Sequence, residues 1–479
     1  MHQGLGSIAL KGSLTLTVST ALLLLGAARS LSAQDVALTG GVIHTAAGDV
    51  FEGGTVVVRD GKVTAVGNDV TVPRGVPVVD VSGRTIIPGM LDNHSHIGFD
   101  VRDVNERSTT FTPRYRIMDV LSPDERYWFN AYSTAGDMYL GIGTAHYPHL
   151  GIRDCGISIA IDGVQRSFHA SCRADGDPAD QQVGPFRIEI LEPMRSCRIV
   201  LEENETDFSC DLTFEGRTGN VEEPRHYWGG DIRRVMDTTR FTQLGRWSGW
   251  IQFDGRRIEL DPATIRGTKD RSWGIRPLDG GDKRGAPAPP ARNSMFFLWA
   301  PLNFDDICVQ YQLFEDSLGR PLSSVGALLP TYDTLDDLPG IEDPAARHMR
   351  SHEHRLQFED GSRMVHTADM SFVSVDDGTL HEFHLEKIFT FRMKGIGYHH
   401  PEWGHGAWKG DLAMASESWN MDEVDDHAYE NQHCQHLVRA TMGDRVGIGI
   451  LEQLCVGPYR PYGMEGFMAR PGCPRFNRL

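Results

Sequence analysis

Along most of this chain apolar and polar residues alternate one for one, in short runs separated by pairs rich in Asp and Gly. The run 55–59 (Thr-Val-Val-Val-Arg) leads into Asp60-Gly61, and 62–66 (Lys-Val-Thr-Ala-Val) leads out. Asp-Gly between two such runs predicts a β-hairpin, because both residues tolerate the positive φ that a two-residue hairpin turn requires. The same grammar recurs at 157–161 before Asp162-Gly163, and at 250–253 before Asp254-Gly255. It continues at 355–358 before Glu359-Asp360-Gly361, at 370–375 before Asp376-Asp377-Gly378, and in the long run 385–393. Helical spacing is scarce, and predicts short helices only at 123–132 and 231–239. The expected fold is mainly β. A small N-terminal β domain precedes two antiparallel barrel or sandwich halves, with no complete TIM barrel.

The first residues follow another pattern. Lys11 precedes an apolar run at 14–28, and small residues follow, ending in Ser32-Ala33 before Gln34-Asp35. A basic start, a short apolar stretch and a small-residue exit predict a secretory signal peptide over 1–33, and so an exported, periplasmic or secreted protein. No later stretch approaches the ~20 apolar residues of a spanning helix, so no membrane span is expected in the mature chain. The remainder divides into a β segment at 34–99, a first body half at 115–284, a Pro-rich linker at 285–292 and a second half at 293–479.

Composition narrows the classes. The chain has 479 residues and a formal charge of −18, with 40% hydrophobic and 23% charged residues. That is an ordinary globular balance, and the acidity argues against nucleic acid as a partner, since phosphate binding needs a Lys/Arg-rich face. None of the eight cysteines forms a C-x-x-C pair. Cys197 and Cys210 flank the turn-like Glu203-Asn204. If that turn makes a hairpin, they are expected to face one another and could bridge after export; reduced buried thiols are the alternative.

Chemistry concentrates in a few places. Residues 88–96 read Pro-Gly-Met-Leu-Asp-Asn-His-Ser-His. On a strand, His94 and His96 project to one face, where two imidazoles can share a zinc ion. With the preceding hairpin Gly61-Lys-Val-Thr-Ala-Val-Gly67, residues 35–99 resemble the N-terminal part of the amidohydrolase superfamily of metal-dependent hydrolases. The resemblance implies that His94 and His96 are the first metal ligands. It stops after Phe99, where the strand–helix rhythm of the family's barrel does not follow.

In the body, the segments 266–276 (Arg-Gly-Thr-Lys-Asp-Arg-Ser-Trp-Gly-Ile-Arg), 293–306 and 397–408 gather charge, indole and histidine. The Asp270-x-Ser-Trp-Gly-x-Arg276 element follows a W-x-G-W-I-x-F-D-G hairpin. Together they resemble an uncharacterised family of bacterial proteins, distantly similar to the calycin-like, two-barrel group that includes carotenoid hydratases. The resemblance implies a fold more directly than a reaction.

A barrel of that kind offers a concave pocket for a small apolar molecule. Asp270 or Glu402, buried among Trp273, Trp403 and Trp408, would have a raised pKa and act as a general acid for hydration or isomerisation. Arg276 would orient a carboxylate or a substrate oxygen, with His405 as a further catalytic group and Trp299 and His399 as ligand contacts. The same residues would serve equally as a structural corner tying strands together. Twelve of the twenty histidines lie between His348 and His436. Among them His399, His400 and His405 share a Gly-rich loop in which a second metal site is conceivable. Three functions follow: a β-barrel protein that binds and transforms a small lipophilic molecule, a zinc-dependent amidohydrolase-type hydrolase, or a non-catalytic carrier.

Overall fold

The computed structural model describes residues 35–45, 49–59, 62–86, 125–148, 150–174, 181–229, 234–275, 294–339 and 342–467. The chain forms two compact units, Met1–Ile97 and Gly98–Leu479. In the first, β1 (Val36–His44), β2 (Val50–Arg59) and β3 (Lys62–Gly67) form an antiparallel meander, as the alternating runs on either side of Asp60-Gly61 predict. β4 (Val78–Asp80) and β5 (Thr85–Ile86) each join β1 in parallel. Ala37, Val57 and Val76 form its small core.

The second unit opens with β6 (Glu125–Ser133), β7 (Met138–Tyr147), β8 (Ile152–Ile161), β9 (Val164–Arg173), β10 (Phe186–Glu192) and β11 (Ser196–Leu201). It continues with β12 (Ser209–Gly216), β13 (Val221–Gly229), β14 (Arg234–Phe253), β15 (Arg256–Leu260) and β16 (Ile265–Ile275). These strands curl into a half-barrel whose order runs β10-β11-β12-β14-β16-β6-β7-β8-β9. Next come β17 (Met295–Asn303), β18 (Ile307–Glu315), β19 (Pro321–Pro330), β20 (Arg347–Phe358), β21 (Val365–Ser374) and β22 (Leu380–Arg392). The last are β23 (Leu412–Asn420), β24 (Cys434–Met442) and β25 (Arg445–Val456). All of β17 to β25 except β23 close into an eight-stranded barrel. β23 returns to the half-barrel and extends it by pairing with β9. The body is therefore not two self-contained halves, since a strand from beyond the barrel's sixth strand completes the earlier sheet. The linker at 285–292 lies outside the described residues.

The hairpin grammar is realised at the turns. Asp162 and Gly163 have φ of 54° and 75°, and Asp254 and Gly255 have 50° and 67°, the left-handed pair that joins strands with matched twist. Both predicted helices are strands instead: 125–133 is β6, and 234–239 begins β14. β6 is buried on both faces, so its apolar run loses the alternation that marks a strand. The segment 266–275, which gathers charge and indole, lies on β16. Cys197 and Cys210 do flank a hairpin but are offset along it. Cys197 pairs in register with Phe214, and Cys210 with Leu201, and both thiols are free and buried.

One core fills the half-barrel, around Phe129, Ile157, Phe214 and Trp247, and a second fills the closed barrel, around Phe296, Tyr311 and Phe372. A third joins them, with Trp128, Tyr139, Trp299, Phe391, Ile396 and Ile450. Its tightest point is the 3₁₀ turn Met393–Ile396 after β22. A Cβ on Gly156 would lie 2.8 Å from the Ile396 Cα, and one on Gly141 would lie 2.8 Å from both Phe391 and Trp128. Bare backbone on β7 and β8 thus admits the turn. Gln165, fully buried, fastens it: its Nε2 donates to Arg392 O at 2.8 Å, and its Oε1 accepts from Arg392 N at 2.9 Å. The Gly156→Ala variant forces a backbone-to-Cβ clash that no rotamer relieves. It is expected to lose about 1–3 kcal/mol of stability in chemical denaturation, the usual range for overpacking. An unchanged midpoint would show that the turn is not held against β8.

Candidate functional site

Strand pairing across four neighbours puts one polar row on the half-barrel face turned to the closed barrel. Arg240 of β14 stands opposite Ser272 of β16, Ser272 opposite Arg126 of β6, and Arg126 opposite Ala145 of β7. One step along lie Asp270, Trp128 and Gly143 in the same alignment. Over this row lie Met393, Ile396, Tyr398 and His405 from the segment after β22, and Glu452 from β25. They line a cleft that is partly open to solvent.

The charges in it are paired and fixed. Arg240 Nε lies 3.3 Å from Asp270 Oδ2, and its Nη2 is 2.5 Å from Glu223 Oε2. Its guanidinium also sits 5.9 Å from the rings of both Phe297 and Trp299. Glu223 takes further hydrogen bonds from Thr242 Oγ1 at 3.0 Å and Gln310 Nε2 at 3.2 Å, and meets His226 Nε2 at 3.1 Å. Burial works to raise the Glu223 carboxyl, yet Arg240 and His226 outweigh it and hold it below the usual carboxylate range. Burial likewise opposes the Arg240 charge, and Glu223 and Asp270 restore it. Opposite them, Glu452 accepts from Gln435 Nε2 at 2.5 Å and lies 2.7 Å from His433 Nε2. Tyr139 donates to the other end of Gln435, and burial pushes its hydroxyl well above the usual phenol range. Trp128 lines the cleft with its Nε1 buried and without a hydrogen-bond partner.

The loop carrying Tyr398 and His405 is pinned beside the cleft. His400 Nδ1 accepts the backbone N–H of Glu402 at 3.0 Å and of Trp403 at 2.8 Å. A ring nitrogen that accepts carries no proton, so the neutral ring is protonated at Nε2, which donates to Glu417 Oε1 at 3.0 Å. His169 Nε2 reaches the same oxygen at 3.0 Å. Burial works to raise Glu417, but hydrogen bonds from His169 and His400 hold it down at about 2. Burial lowers His169, which favours its neutral form.

This trio is the one His/carboxylate cluster among the described residues whose ligand atoms converge closely enough for a metal ion. The donors do not fit one. A metal on His400 Nε2 would require the proton on Nδ1, where two backbone N–H groups already point. The cluster is a hydrogen-bonded knot. His94 and His96 lie outside the described residues, and so does Arg276.

The other sequence-derived residues separate. Asp270 and His405 line the cleft. Trp403 lines an adjoining recess and stacks on His169, with ring centroids 5.7 Å apart. Glu402 is exposed and so is not the buried acid expected of it. Trp408 is half exposed beneath Arg173, 4.7 Å away, and has no place in the cleft. Trp273 lies on the opposite face of β16 from Asp270, against Phe241. Trp299 is fully buried beside Arg240, and His399 packs on Tyr429 and His433. Asp270 therefore neighbours Trp128 in place of the three tryptophans expected. Sequence reasoning missed Arg126, Trp128, Arg240, Tyr398 and Glu452. Pairing parity across β14, β16 and β6 was the only signal for three of these, and it is readable only once the registers are known.

Two outcomes follow. A carboxyl held low in the folded state adds stability that is present above its unfolded value and is lost as pH falls through its folded value. Glu417→Gln is therefore expected to flatten the acid limb of the stability curve between pH 4.5 and about 2, followed by thermal melts. Excess Zn²⁺ is expected to leave wild type and His400→Ala with equal shifts in melting temperature. A zinc-dependent rise in wild type that His400→Ala abolishes would show that Nδ1 surrenders its acceptor role.

Among the described residues no helix is long and apolar enough to cross a membrane. Solved structures with a similar chain path include a protein of Nitrosomonas europaea assigned as an AttH, at 13% identity and a TM-score of 0.43, covering 71% of this chain and 94% of that one. Kievitone hydratase from Nectria haematococca matches at 11% identity and a TM-score of 0.40, over 70% of this chain and 90% of its own. CghA with Sch210972 matches at 12% and 0.43, over 70% and 89%. No curated protein matches the chain. Residues 121–465, from just before β6 to beyond the end of β25, match the family of unknown function DUF8625, and the chain belongs to that family.

Proposed function

We propose that the cleft binds a small, largely apolar molecule bearing an oxygen function and moves protons on it, adding or removing water or shifting a double bond. The observation that carries this reading is the meeting of Asp270 and Glu452 with the Trp128 ring in one cleft, whose lining also includes Asp154. Trp128, Met393, Ile396 and Tyr398 supply apolar and aromatic wall for a hydrocarbon body. Arg126, lying 5.8 Å from the Tyr398 ring, gives a charged donor for a ligand oxygen.

Hydration then needs no further group. One carboxyl in its acid form gives its proton to an alkene carbon. The other, as carboxylate, takes a proton from a water whose oxygen bonds to the adjacent carbon. The sum is addition of H and OH, and the carboxyls regain their starting states by exchange with solvent. The reverse sequence is dehydration, and proton return to a different carbon is isomerisation. The signal-like segment 1–33 supports an exported setting for this activity.

The test is a panel of α,β-unsaturated ketones and acids and allylic alcohols, incubated in H₂¹⁸O and followed by mass spectrometry. Binding is read separately from tryptophan fluorescence. Wild type is expected to incorporate ¹⁸O into one substrate class, and Asp270→Asn and Glu452→Gln each to lose about 10²–10⁴ in rate, the usual share of an acid–base group. Binding with no ¹⁸O incorporation, no loss of water and no shift of the double bond would make the protein a carrier. Binding undiminished by Trp128→Ala and Asp270→Asn would put the ligand elsewhere and overturn the reading.

A further inference from the structure

The groups that the acid–base reading needs are nearly shut away from solvent. Asp270 is 5% exposed, Glu452 9%, Arg126 7% and Trp128 7%. A molecule of several carbon atoms cannot touch all four until some part of the cleft's lining moves. Most of that lining is built in. β14, β16, β6 and β7 are consecutive neighbours in one sheet, β25 belongs to the closed barrel, and the turn Met393–Ile396 lies on the bare backbone of Gly156. The segment 397–410 is held differently. Its Tyr398 and His405 line the cleft, and His405 also lines the adjoining recess with Trp403 and Asp154.

Among the described residues, the backbone–backbone hydrogen bonds of 397–409 stay close to home. Gly397 N–H reaches Lys394 O, Tyr398 N–H reaches Met393 O, His400 N–H reaches Gly397 O, and Ala407 N–H reaches Gly404 O. Side chains make the hydrogen bonds that join this stretch to the sheet. Asp154 Oδ2 accepts the Gly406 N–H at 2.7 Å, Ser171 Oγ donates to Ala407 O at 3.1 Å, and His400 Nε2 donates to Glu417 Oε1 at 3.0 Å. A segment with no ladder bonds to its neighbours opens more readily than the strands beneath it. Gly397 and Gly410, at its two ends, have φ of 100° and 116°, a region that glycine enters and leaves freely. His399, just inside the first, is held at φ 56°, where a residue with a side chain is strained.

We propose that 397–410 is a lid on the cleft, pivoting at Gly397 and Gly410, latched by Asp154, Ser171 and Glu417, and opening to admit the ligand. The inference rests on the cleft as the binding site. The structure shows the closed state, in which Tyr398 and His405 stand over the polar row. Opening breaks three side-chain hydrogen bonds and lets His399 relax, while every strand stays paired. Closing returns the two carboxyls to a setting from which bulk water is excluded.

The test asks whether the cleft becomes reachable without unfolding. Ala145 of β7 lines the cleft and is 3% exposed, so Ala145→Cys places a thiol behind the lid. Cys197 and Cys210, each 1% exposed in the half-barrel core, report global opening in the same molecule. With iodoacetamide and peptide mapping, the introduced thiol is expected to react at least about tenfold faster than Cys197 and Cys210, since it needs only local opening. A Cβ on Gly397 would lie 2.6 Å from the His405 ring, so adding Gly397→Ala disfavours the closed form and should raise that rate further. Hydrogen exchange on wild type gives a measurement that needs no variant: the Gly406 amide should exchange ahead of the amides of β7 and β8. An introduced thiol no faster than Cys197 and Cys210, a rate indifferent to Gly397→Ala, or a Gly406 amide that exchanges only with β7 and β8 would overturn the lid. No readout here requires turnover, so an inert substrate panel leaves the lid standing, and turnover beneath a segment that never opens overturns the lid alone.

Discussion

The separation between the turn Met393–Ile396 and the backbone of β7 and β8 sets almost everything else in the body. The turn can lie on the sheet because Gly141, Gly143 and Gly156 present no side chain beneath Phe391 and Ile396. Gln165 then holds Arg392, at the end of β22, by bonding both its N–H and its C=O. Shape and hydrogen bonding agree at this point, and a substitution at either disturbs both. Once the turn is seated, the chain that leaves it is directed over the polar row of the half-barrel. The cleft is the space that remains between.

The row itself is held by electrostatics in a setting of low polarity. Arg240 is the shared cation: Glu223 is buried behind it, Asp270 lies at its cleft edge, and the Trp299 and Phe297 rings flank it. Removing one partner of such a group is costly, at about 3–5 kcal/mol for a buried pair, because the remaining charge keeps its desolvation without compensation. The arrangement therefore fixes where the Asp270 carboxylate stands more firmly than packing alone would. Glu452 is fixed similarly by Gln435 and His433, from the wall of the closed barrel.

The segment after the turn is locked by a different device. His400 folds back on its own backbone through Nδ1, and this dictates the proton on Nε2 and so its bond to Glu417. Glu417 belongs to β23, the strand that returns to the half-barrel, and His169 belongs to β9 beside it. The knot thus ties loop, returning strand and sheet together, and it holds Tyr398 and His405 at the cleft. The same three residue types at this spacing would suit zinc. The direction of two backbone N–H groups decides against it.

By itself the sequence determined the mainly β fold and the hairpins at Asp162-Gly163 and Asp254-Gly255, and it singled out Asp270 and His405, which line the cleft. Alternation and turn chemistry are local, and a strand with one wet face displays them in the order of its residues. It did not determine β6 as a strand, because both faces of β6 are buried and its apolar pattern has no period. Nor did it place Glu402 or Trp408, whose exposure depends on how a glycine-rich loop is tied down by His400. The pairing of Arg240 with Asp270 and the company of Trp128 were decided by tertiary structure. They depend on register between strands distant in sequence, and register is fixed by the packing of whole faces and not by any neighbouring residue.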